Sequence, residues 1–104
     1  MIKVSVLYPF SSGVAFDIEY YCACHIPMVQ KLLGTACVGV SAEHGLSGGE
    51  PGAPPAFIAM GHLFFESIDA FMASFPPHAE KIMSDIPNYT SINPLLQISE
   101  VRIR

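Results

Sequence analysis

The sequence has little charge, and it lacks most of the basic residues that nucleic-acid binding requires. Charged residues make up 13% of the 104 residues, against roughly 25% in an ordinary domain. Lys and Arg together number five and Asp and Glu nine, which gives a formal net charge of −4. Because phosphate contacts need clustered Lys and Arg, the composition argues against a nucleic-acid partner. The hydrophobic share of 51% excludes an intrinsically disordered chain.

Long apolar runs, paired cysteines and a leader pattern are also missing. No run approaches the roughly 20 apolar residues that span a bilayer. Residues 1–9 alternate like a strand and lack the apolar stretch of a signal peptide. Three cysteines, an odd number, favour reduced thiols over a disulfide framework. We therefore expect a soluble cytoplasmic protein without a membrane segment.

Motifs of nucleotide and metal chemistry are absent. The sequence contains no Gly-x-Gly-x-x-Gly and no phosphate loop, which argues against nucleotide-dependent chemistry. Residues 45–49, Gly-Leu-Ser-Gly-Gly, match Gly-x-Ser-x-Gly, but they run into a Gly- and Pro-rich loop and not into the helix that a nucleophile elbow requires. The segment 22–25 reads Cys-Ala-Cys-His, but on a helix only Cys22 and His25 share a face. Two ligands are fewer than a zinc site takes. We predict no metal site and no cofactor.

Hydrophobic periodicity divides the chain into two halves of one plan, joined by a Gly- and Pro-rich loop at 47–55. Helical spacing predicts one helix from the N-cap Asp17 to Leu33, kinked at Pro27, and a second from Ser67 that the Pro pair at 76–77 breaks. Alternation predicts strands at 2–8, 38–46, 57–65 and 95–103. The order β-α-β-β-α-β predicts a single ferredoxin-like α+β domain over 1–104, with a four-stranded antiparallel sheet and two helices on one face.

The strand at 57–65 is more apolar than a sheet with one wet face allows. Phe57, Leu63 and Phe65 lie on one face, and Met60 and Phe64 lie on the other. Leaving these side chains in water would forgo about 1.5–3 kcal/mol each. We therefore predict a homodimer, in which a second copy covers the sheet face that the helices leave open.

Matching stretches to a known family are spread in order over nearly the whole chain. They comprise 1–9, Phe16-Asp17 with Tyr20-Tyr21, His25-Ile26-Pro27-Met28, Gly61-His62-Leu63 with Phe65, and the stretches 85–90 and 97–101. Together they resemble the ethyl tert-butyl ether degradation (EthD) family of the dimeric α/β-barrel superfamily. The resemblance implies a homodimer whose sheets face each other, and a context of xenobiotic or ether degradation. The superfamily hosts monooxygenases, isomerases, cyclases and haem-degrading enzymes, so the resemblance implies a fold more specifically than an activity.

Histidine and tyrosine within apolar elements are the candidate catalytic groups. His25 follows Tyr21 by four residues, so both lie on one helix face, and an imidazole beside a phenol suits proton transfer. The alternative for His25 is a packing or capping role at the kinked helix. His62, in mid-strand, is either a polar point in an apolar pocket or a hydrogen-bonded core histidine.

The loop before the last strand supplies the remaining candidates. Turn geometry alone can explain Asp85 and Asn88, whereas Tyr89 offers both a stacking face and a hydroxyl. We predict four catalytic residues and four ligand contacts. The catalytic candidates are His25, His62, Tyr21 and Tyr89, and the ligand contacts are Tyr20, Met60, Phe64 and His44.

Two functions of different classes fit these residues. The first is a cofactor-free oxidoreductase that binds and transforms a small hydrophobic oxygenated compound, with a cyclase or isomerase of the same fold as a variant. The second is a non-catalytic accessory or carrier protein for a partner oxygenase system.

Overall fold

Four antiparallel strands in the order β2-β3-β1-β4 form one sheet, and the helices pack against one of its faces. The computed structural model describes all of residues 1–104. Its elements are β1 (Ile2–Pro9), α1 (Ile18–Tyr20), α2 (Ile26–Leu33), β2 (Gly39–His44), β3 (Phe57–Phe65), α3 (Ile68–Ser74), α4 (Ala79–Ser84) and β4 (Leu95–Glu100). The predicted ferredoxin-like α+β fold is confirmed. None of the helices has the length and hydrophobicity that crossing a membrane would take.

Two strands are shorter than the alternation predicts. The last ladder pair between β1 and β4 joins Ile2 to Glu100, so residues 101–103 have no partner strand to extend β4. At the other edge, β2 begins at Gly39 and ends at His44, which pairs with Ala59. Beyond that point Leu46 is 91% exposed. The end of β4 is set by the length of its neighbour β1, which periodicity within one segment does not report.

The first helical region contains a π-helical turn in place of the predicted proline kink. Asp17 caps α1 by accepting a hydrogen bond from the Tyr20 backbone N–H at 3.0 Å. The segment Tyr21–His25 is π-helical, and the Ile26 N–H bonds to the Tyr21 carbonyl. Pro27 then lies in the first turn of α2, where its missing N–H costs no hydrogen bond. The wider π turn positions the side chains that precede Pro27.

The helices cover the sheet face that carries the alternate side chains of β1 and β3. Ser67 caps α3 by accepting from the Ala70 N–H at 3.1 Å, and a 3-10 turn at Pro76–His78 separates α3 from α4, as predicted. The largest buried cluster lies between the sheet and the helices α2, α3 and α4. Its members are Ile2, Val4, Val29, Leu33, Leu63, Phe65, Phe71 and Ile82.

The opposite sheet face has no layer over it within the chain, and it carries one polar row. Strand register aligns four residues across the sheet, and these are Ser41, His62, Ser5 and Gln97. The apolar side chains Ile58, Met60 and Phe64 share this face, as the alternation predicts. We call it the open face. Large apolar side chains also stay exposed on the edge strand β4, where Leu95 is 56% and Leu96 is 48% exposed.

Candidate functional site

A small apolar cavity lies between the sheet and the helices. Its volume is about 40 Å³, and 12 of its 14 lining residues are hydrophobic. Val4, Val6 and Leu63 line it from the sheet, and Ile26, Val29 and Ile82 line it from the helices. Its polar groups are those of Tyr8, Tyr21 and His25. An apolar lining with a few polar groups is typical of a small-molecule site, but such pockets measure about 300–1,000 Å³, so this cavity takes an organic ligand only if its lining side chains move apart.

His25 is the histidine that lines the cavity, and a hydrogen bond to Asp85 fixes the orientation of its ring. The His25 Nδ1 lies 2.8 Å from the Asp85 Oδ2. Because a carboxylate accepts, Nδ1 carries the proton and donates it to Asp85, which leaves Nε2 as the unprotonated ring nitrogen. Every fully buried side-chain nitrogen or oxygen has a hydrogen-bond partner. The His25 Nε2 has no hydrogen-bond partner in the chain, so it is not fully buried and another molecule can reach it. It can therefore accept a proton from a bound molecule.

Asp85 itself is held by two further donors. Its Oδ1 accepts hydrogen bonds from the Tyr20 hydroxyl and from the Asn88 amide, each at 2.8 Å. Burial alone would raise the pKa of Asp85, but the hydrogen bonds from Asn88, His25 and Tyr20 outweigh it and lower that pKa. Asp85 is therefore ionised at neutral pH.

The imidazole of His25 is neutral at pH 7. Burial lowers its pKa, and this effect exceeds the opposing hydrogen bond and charge of Asp85. A neutral imidazole with its Nδ1–H committed to a carboxylate is a base at Nε2. The pair therefore combines an ionised Asp85, which accepts the Nδ1–H of His25, with a neutral His25, whose Nε2 can accept a proton.

Three phenols extend the site from His25 toward the end of β1. The hydroxyls of Tyr8 and Tyr89 lie 2.6 Å apart. The Tyr21 ring stacks on the His25 ring, with centroids 5.5 Å apart and planes inclined by 14°. Gly61 on β3 makes room for the Tyr21 hydroxyl, because a Cβ at that position would overlap it. The cluster is thus formed by residues far apart in the chain, packed edge to face and stacked.

These phenols are donors at physiological pH. Burial raises the pKa of Tyr8, Tyr21 and Tyr89 far above the ordinary value for tyrosine. Each hydroxyl therefore keeps its proton. Tyr8 and Tyr21 line the cavity. Because the Tyr8 and Tyr89 hydroxyls share one hydrogen bond in which either can be the donor, Tyr8 has a proton for the oxygen of a bound molecule only when Tyr89 donates to it.

The structure brings four of the predicted site residues together and places the other four elsewhere. Tyr20, Tyr21, His25 and Tyr89 form one cluster. His62, Met60 and Phe64 lie on the open face, so the sheet separates them from the cavity. His44 is exposed at the end of β2 and does not line the cavity.

His62 has its own hydrogen-bond partners on the open face. Its Nδ1 lies 2.8 Å from the Ser5 Oγ, and its Nε2 lies 2.9 Å from the Glu43 Oε1. His62 therefore does not face the helices, and its role in a pocket stays a prediction. His62 is a hydrogen-bonded histidine on a sheet face that no helix covers.

Two residues of the cavity site escaped the sequence reasoning. Asp85 looked like a turn former, because nothing in its local sequence indicates a partner 60 residues away. Tyr8 carried a usable signal, since alternation places it on the same face as Val4 and Val6. No group of three His, Cys, Asp or Glu residues could hold a metal ion. The three cysteines are free, with Cys22 and Cys24 exposed.

The chain is similar to proteins of one family in sequence and structure. The model of the EthD domain matches residues 14–93. The crystal structure of an EthD-like protein from Ralstonia eutropha JMP134 is 48% identical, covers 99% of this chain and 93% of that one, and superposes with a TM-score of 0.95. An uncharacterized 11.0 kDa protein of the thcB-thcC intergenic region of Rhodococcus erythropolis is 27% identical over 92 residues, which cover 88% of this chain and 85% of that protein.

More distant structures share the fold. One is a putative antibiotic biosynthesis monooxygenase from Bordetella bronchiseptica, with 17% identity, coverage of 95% and 94% and a TM-score of 0.62. Another is a protein from Bacteroides fragilis described as dimeric, of unknown function and of ferredoxin-like fold, with 13% identity, coverage of 95% and 94% and a TM-score of 0.55. At these identities the similarity extends to the fold alone.

Proposed function

This chain belongs to the EthD family, and from that premise we propose that it binds a small hydrophobic oxygenated organic compound between sheet and helices and removes a proton from it. The observation that carries the proposal is the His25–Asp85 pair at the apolar cavity. His25 lines that cavity together with the phenols Tyr8 and Tyr21, which supports a role for its Nε2 as the proton acceptor. A ligand hydroxyl would donate to His25 and accept from Tyr8 or Tyr21. The apolar lining would contact the rest of the molecule.

The reaction we propose is a cofactor-independent oxidation. His25 takes a proton from an acidic O–H or C–H of the substrate, and a carbon of the resulting anion forms a bond to dioxygen, which is the oxidant. The peroxide takes up the proton, and loss of water then breaks its O–O bond and leaves a carbonyl oxygen on that carbon. The hydroxyls of Tyr8 and Tyr21 stabilise the negative charge on the substrate oxygen by hydrogen bonding. The same proton transfer without an oxidant would support an isomerase or a cyclase. The physiological context we propose is degradation of a foreign compound such as an ether, in the cytoplasm.

A homodimer is part of this proposal. The open face and the edge strand β4 leave Met60, Phe64 and Leu95 without a covering layer. A second copy that faces this sheet would bury them and enclose a barrel, which removes apolar surface that a monomer rarely exposes. The fold neighbour described as dimeric supports the assignment.

The second candidate is a carrier that holds the compound for a partner oxygenase without converting it. The observation in its favour is that every buried polar side-chain atom already has a hydrogen-bond partner, so folding alone explains the network. The two candidates share the cavity and differ in whether the bound compound changes.

Mass spectrometry of small molecules extracted from the native protein tests the site. We expect wild-type protein to retain a hydrophobic oxygenated compound that His25→Gln loses. His78→Gln, a histidine change outside the cavity, is the matched control and should retain it. Incubation of the identified compound in air with protein then separates the candidates, because an oxidase converts it and a carrier returns it unchanged. Equal recovery from all three proteins would exclude the cavity as the site.

A further inference from the structure

The cavity between the sheet and the helices has an apolar end, which is formed by Val4, Val29 and Leu63. These three residues line the cavity and pack in one buried cluster, whereas Tyr21 belongs to a second cluster. Val4 and Leu63 are cross-strand partners on β1 and β3. Val29 follows His25 by four residues on the same helix, a rise of about 6 Å. The apolar end therefore lies about one helical turn from the imidazole and is walled by side chains without a polar atom.

The volume and the chemistry of the apolar end suit a very small apolar molecule. The whole cavity measures about 40 Å³, whereas an apolar cavity that takes benzene measures about 150 Å³. A buried water needs roughly two to four polar partners, and the apolar end offers none. A diatomic molecule such as dioxygen makes no strong hydrogen bonds in water, so its transfer into apolar surroundings is favourable. The cavity therefore accommodates dioxygen without rearrangement.

The cavity can widen on its solvent side without disturbing the apolar end. Met83 on α4 and Leu96 on β4 line the cavity and are exposed, so their side chains lie between it and solvent. Methionine is unbranched and adapts its shape to its surroundings. Movement of these two side chains makes room for an organic compound beside His25, while the buried residues of the apolar end keep their positions.

We propose that the apolar end is a binding site for dioxygen, and that the organic compound occupies the side of the cavity at Met83 and Leu96. The anion that His25 forms then lies next to the dioxygen with which it reacts, so the two reactants meet inside one cavity. The role of dioxygen as co-substrate rests on the proposed function. The binding of dioxygen itself rests only on the volume and the lining of the apolar end.

The test uses dioxygen itself, which is paramagnetic and speeds the relaxation of nearby protons. NMR spectra of the native protein under dioxygen pressure and under nitrogen give this enhancement for each methyl group. Val29 is buried at the apolar end, and Val38 is exposed and lies outside the cavity. We expect a greater enhancement at the Val29 methyls than at the Val38 methyls. Dioxygen that stays in solvent would give the reverse order, because burial shields Val29, and that result would overturn the proposal.

A variant that fills the apolar end should weaken this signal. Val4→Ile adds a methylene at the cavity wall and keeps a β-branched residue on the strand, so we expect it to lower the enhancement at the Val29 and Leu63 methyls. Val38→Ile makes the same change at an exposed valine and is the matched control, which should keep the full enhancement. If Val4→Ile does not fold, Val29→Ile makes the same test, read at Leu63. An unchanged enhancement in the folded variant would refute the site.

His25→Gln separates this inference from the proposed function. The change removes the proton acceptor and leaves the walls of the apolar end intact, so we expect the enhancement at Val29 to persist. A wild-type protein that returns the extracted compound unchanged in air, yet shows the enhancement, would refute the oxidation and support the dioxygen site. A wild-type protein that converts the compound without any enhancement at Val29 would support the oxidation and refute the dioxygen site.

Discussion

The Asp85 carboxylate lies 2.8 Å from the Nδ1 of His25, although the two residues are 60 positions apart in the sequence. The π-helical turn at Tyr21–His25 presents the imidazole, and the 3-10 turn at Ile86–Asn88 follows the carboxylate. Asp85 therefore links the first helical region to the loop before β4. This link fixes which ring nitrogen of His25 carries the proton.

Replacement of Asp85 by Asn tests that link. Asp85→Asn preserves the shape but removes the charge that three donors share, so we expect a loss of about 1.5–3 kcal/mol in the free energy of unfolding, the range for hydrogen bonds to charged groups. Urea denaturation measures it. Glu66→Gln, which neutralises an exposed carboxylate, should change stability by less than about 0.5 kcal/mol. Equal stabilities of the two variants would contradict the role of Asp85.

The His25–Asp85 pair also predicts how stability depends on pH. His25 has a lower pKa folded than unfolded, so its contribution is full above the unfolded value of 6.5 and is lost as the pH falls through and below that value. Asp85 has a lowered pKa as well, so its contribution is present above 3.8 and is lost at more acidic pH. Both groups destabilise the fold on acidification, in two separate windows.

Urea denaturation at pH 8, 7, 6 and 5 checks the first window. We expect the wild-type free energy of unfolding to fall between pH 7 and pH 5, and His25→Gln to flatten part of that fall. His78→Gln controls for titration of a histidine outside the cavity. A wild-type slope that His25→Gln leaves unchanged would show that His25 is not buried in the neutral form.

Gly61 is the position where the cavity tolerates a side chain least. A Cβ there would overlap the hydroxyl of Tyr21, so Gly61→Ala should cost about 1–3 kcal/mol of stability, as overpacking does. Gly39→Ala is the matched control on a neighbouring strand, because its Cβ would meet Phe64 at an ordinary 3.7 Å. Thermal unfolding of the two variants should therefore differ clearly. Equal stabilities of the Gly61→Ala and Gly39→Ala proteins would contradict the position of the Tyr21 hydroxyl beside Gly61.

The open face predicts the assembly state. Light scattering should give twice the protomer mass for wild-type protein at micromolar concentration. Met60→Glu places a charge among apolar side chains that a second copy would bury, so it should shift the protein toward the monomer. Leu46→Glu, at a residue that is 91% exposed, should leave the mass unchanged. A monomeric wild-type protein would refute the dimer.

The sequence predicts most of the fold because local signals agree with one another. Alternation marked β1 and β3, Asp17 and Ser67 marked helix starts, and the surplus apolar residues of β3 marked the open face. The sequence predicts a kink at Pro27 and not the π turn at Tyr21–His25. A proline indicates that a backbone hydrogen bond is missing, but it does not indicate how the backbone adjusts.

The site was predicted less completely, because it depends on contacts between distant residues. His25 and Tyr21 were found from their spacing on one helix, and Tyr89 from its chemistry. Asp85 as a partner of His25 depends on how a loop packs against a helix, and the Ser5–His62 pair depends on strand register. Neither appears in a local pattern.

If the His25 Nε2 is the proton acceptor of a ligand site, an NMR titration of the histidine ring protons will detect a ligand hydroxyl beside it. Phenol serves as the probe, and toluene, which has the same shape without the hydroxyl, as its control. We expect a saturable shift of the His25 resonance with phenol, a much weaker shift with toluene, and no shift of the His78 resonance with either. Equal shifts with the two compounds, or no saturable shift of His25, would contradict it.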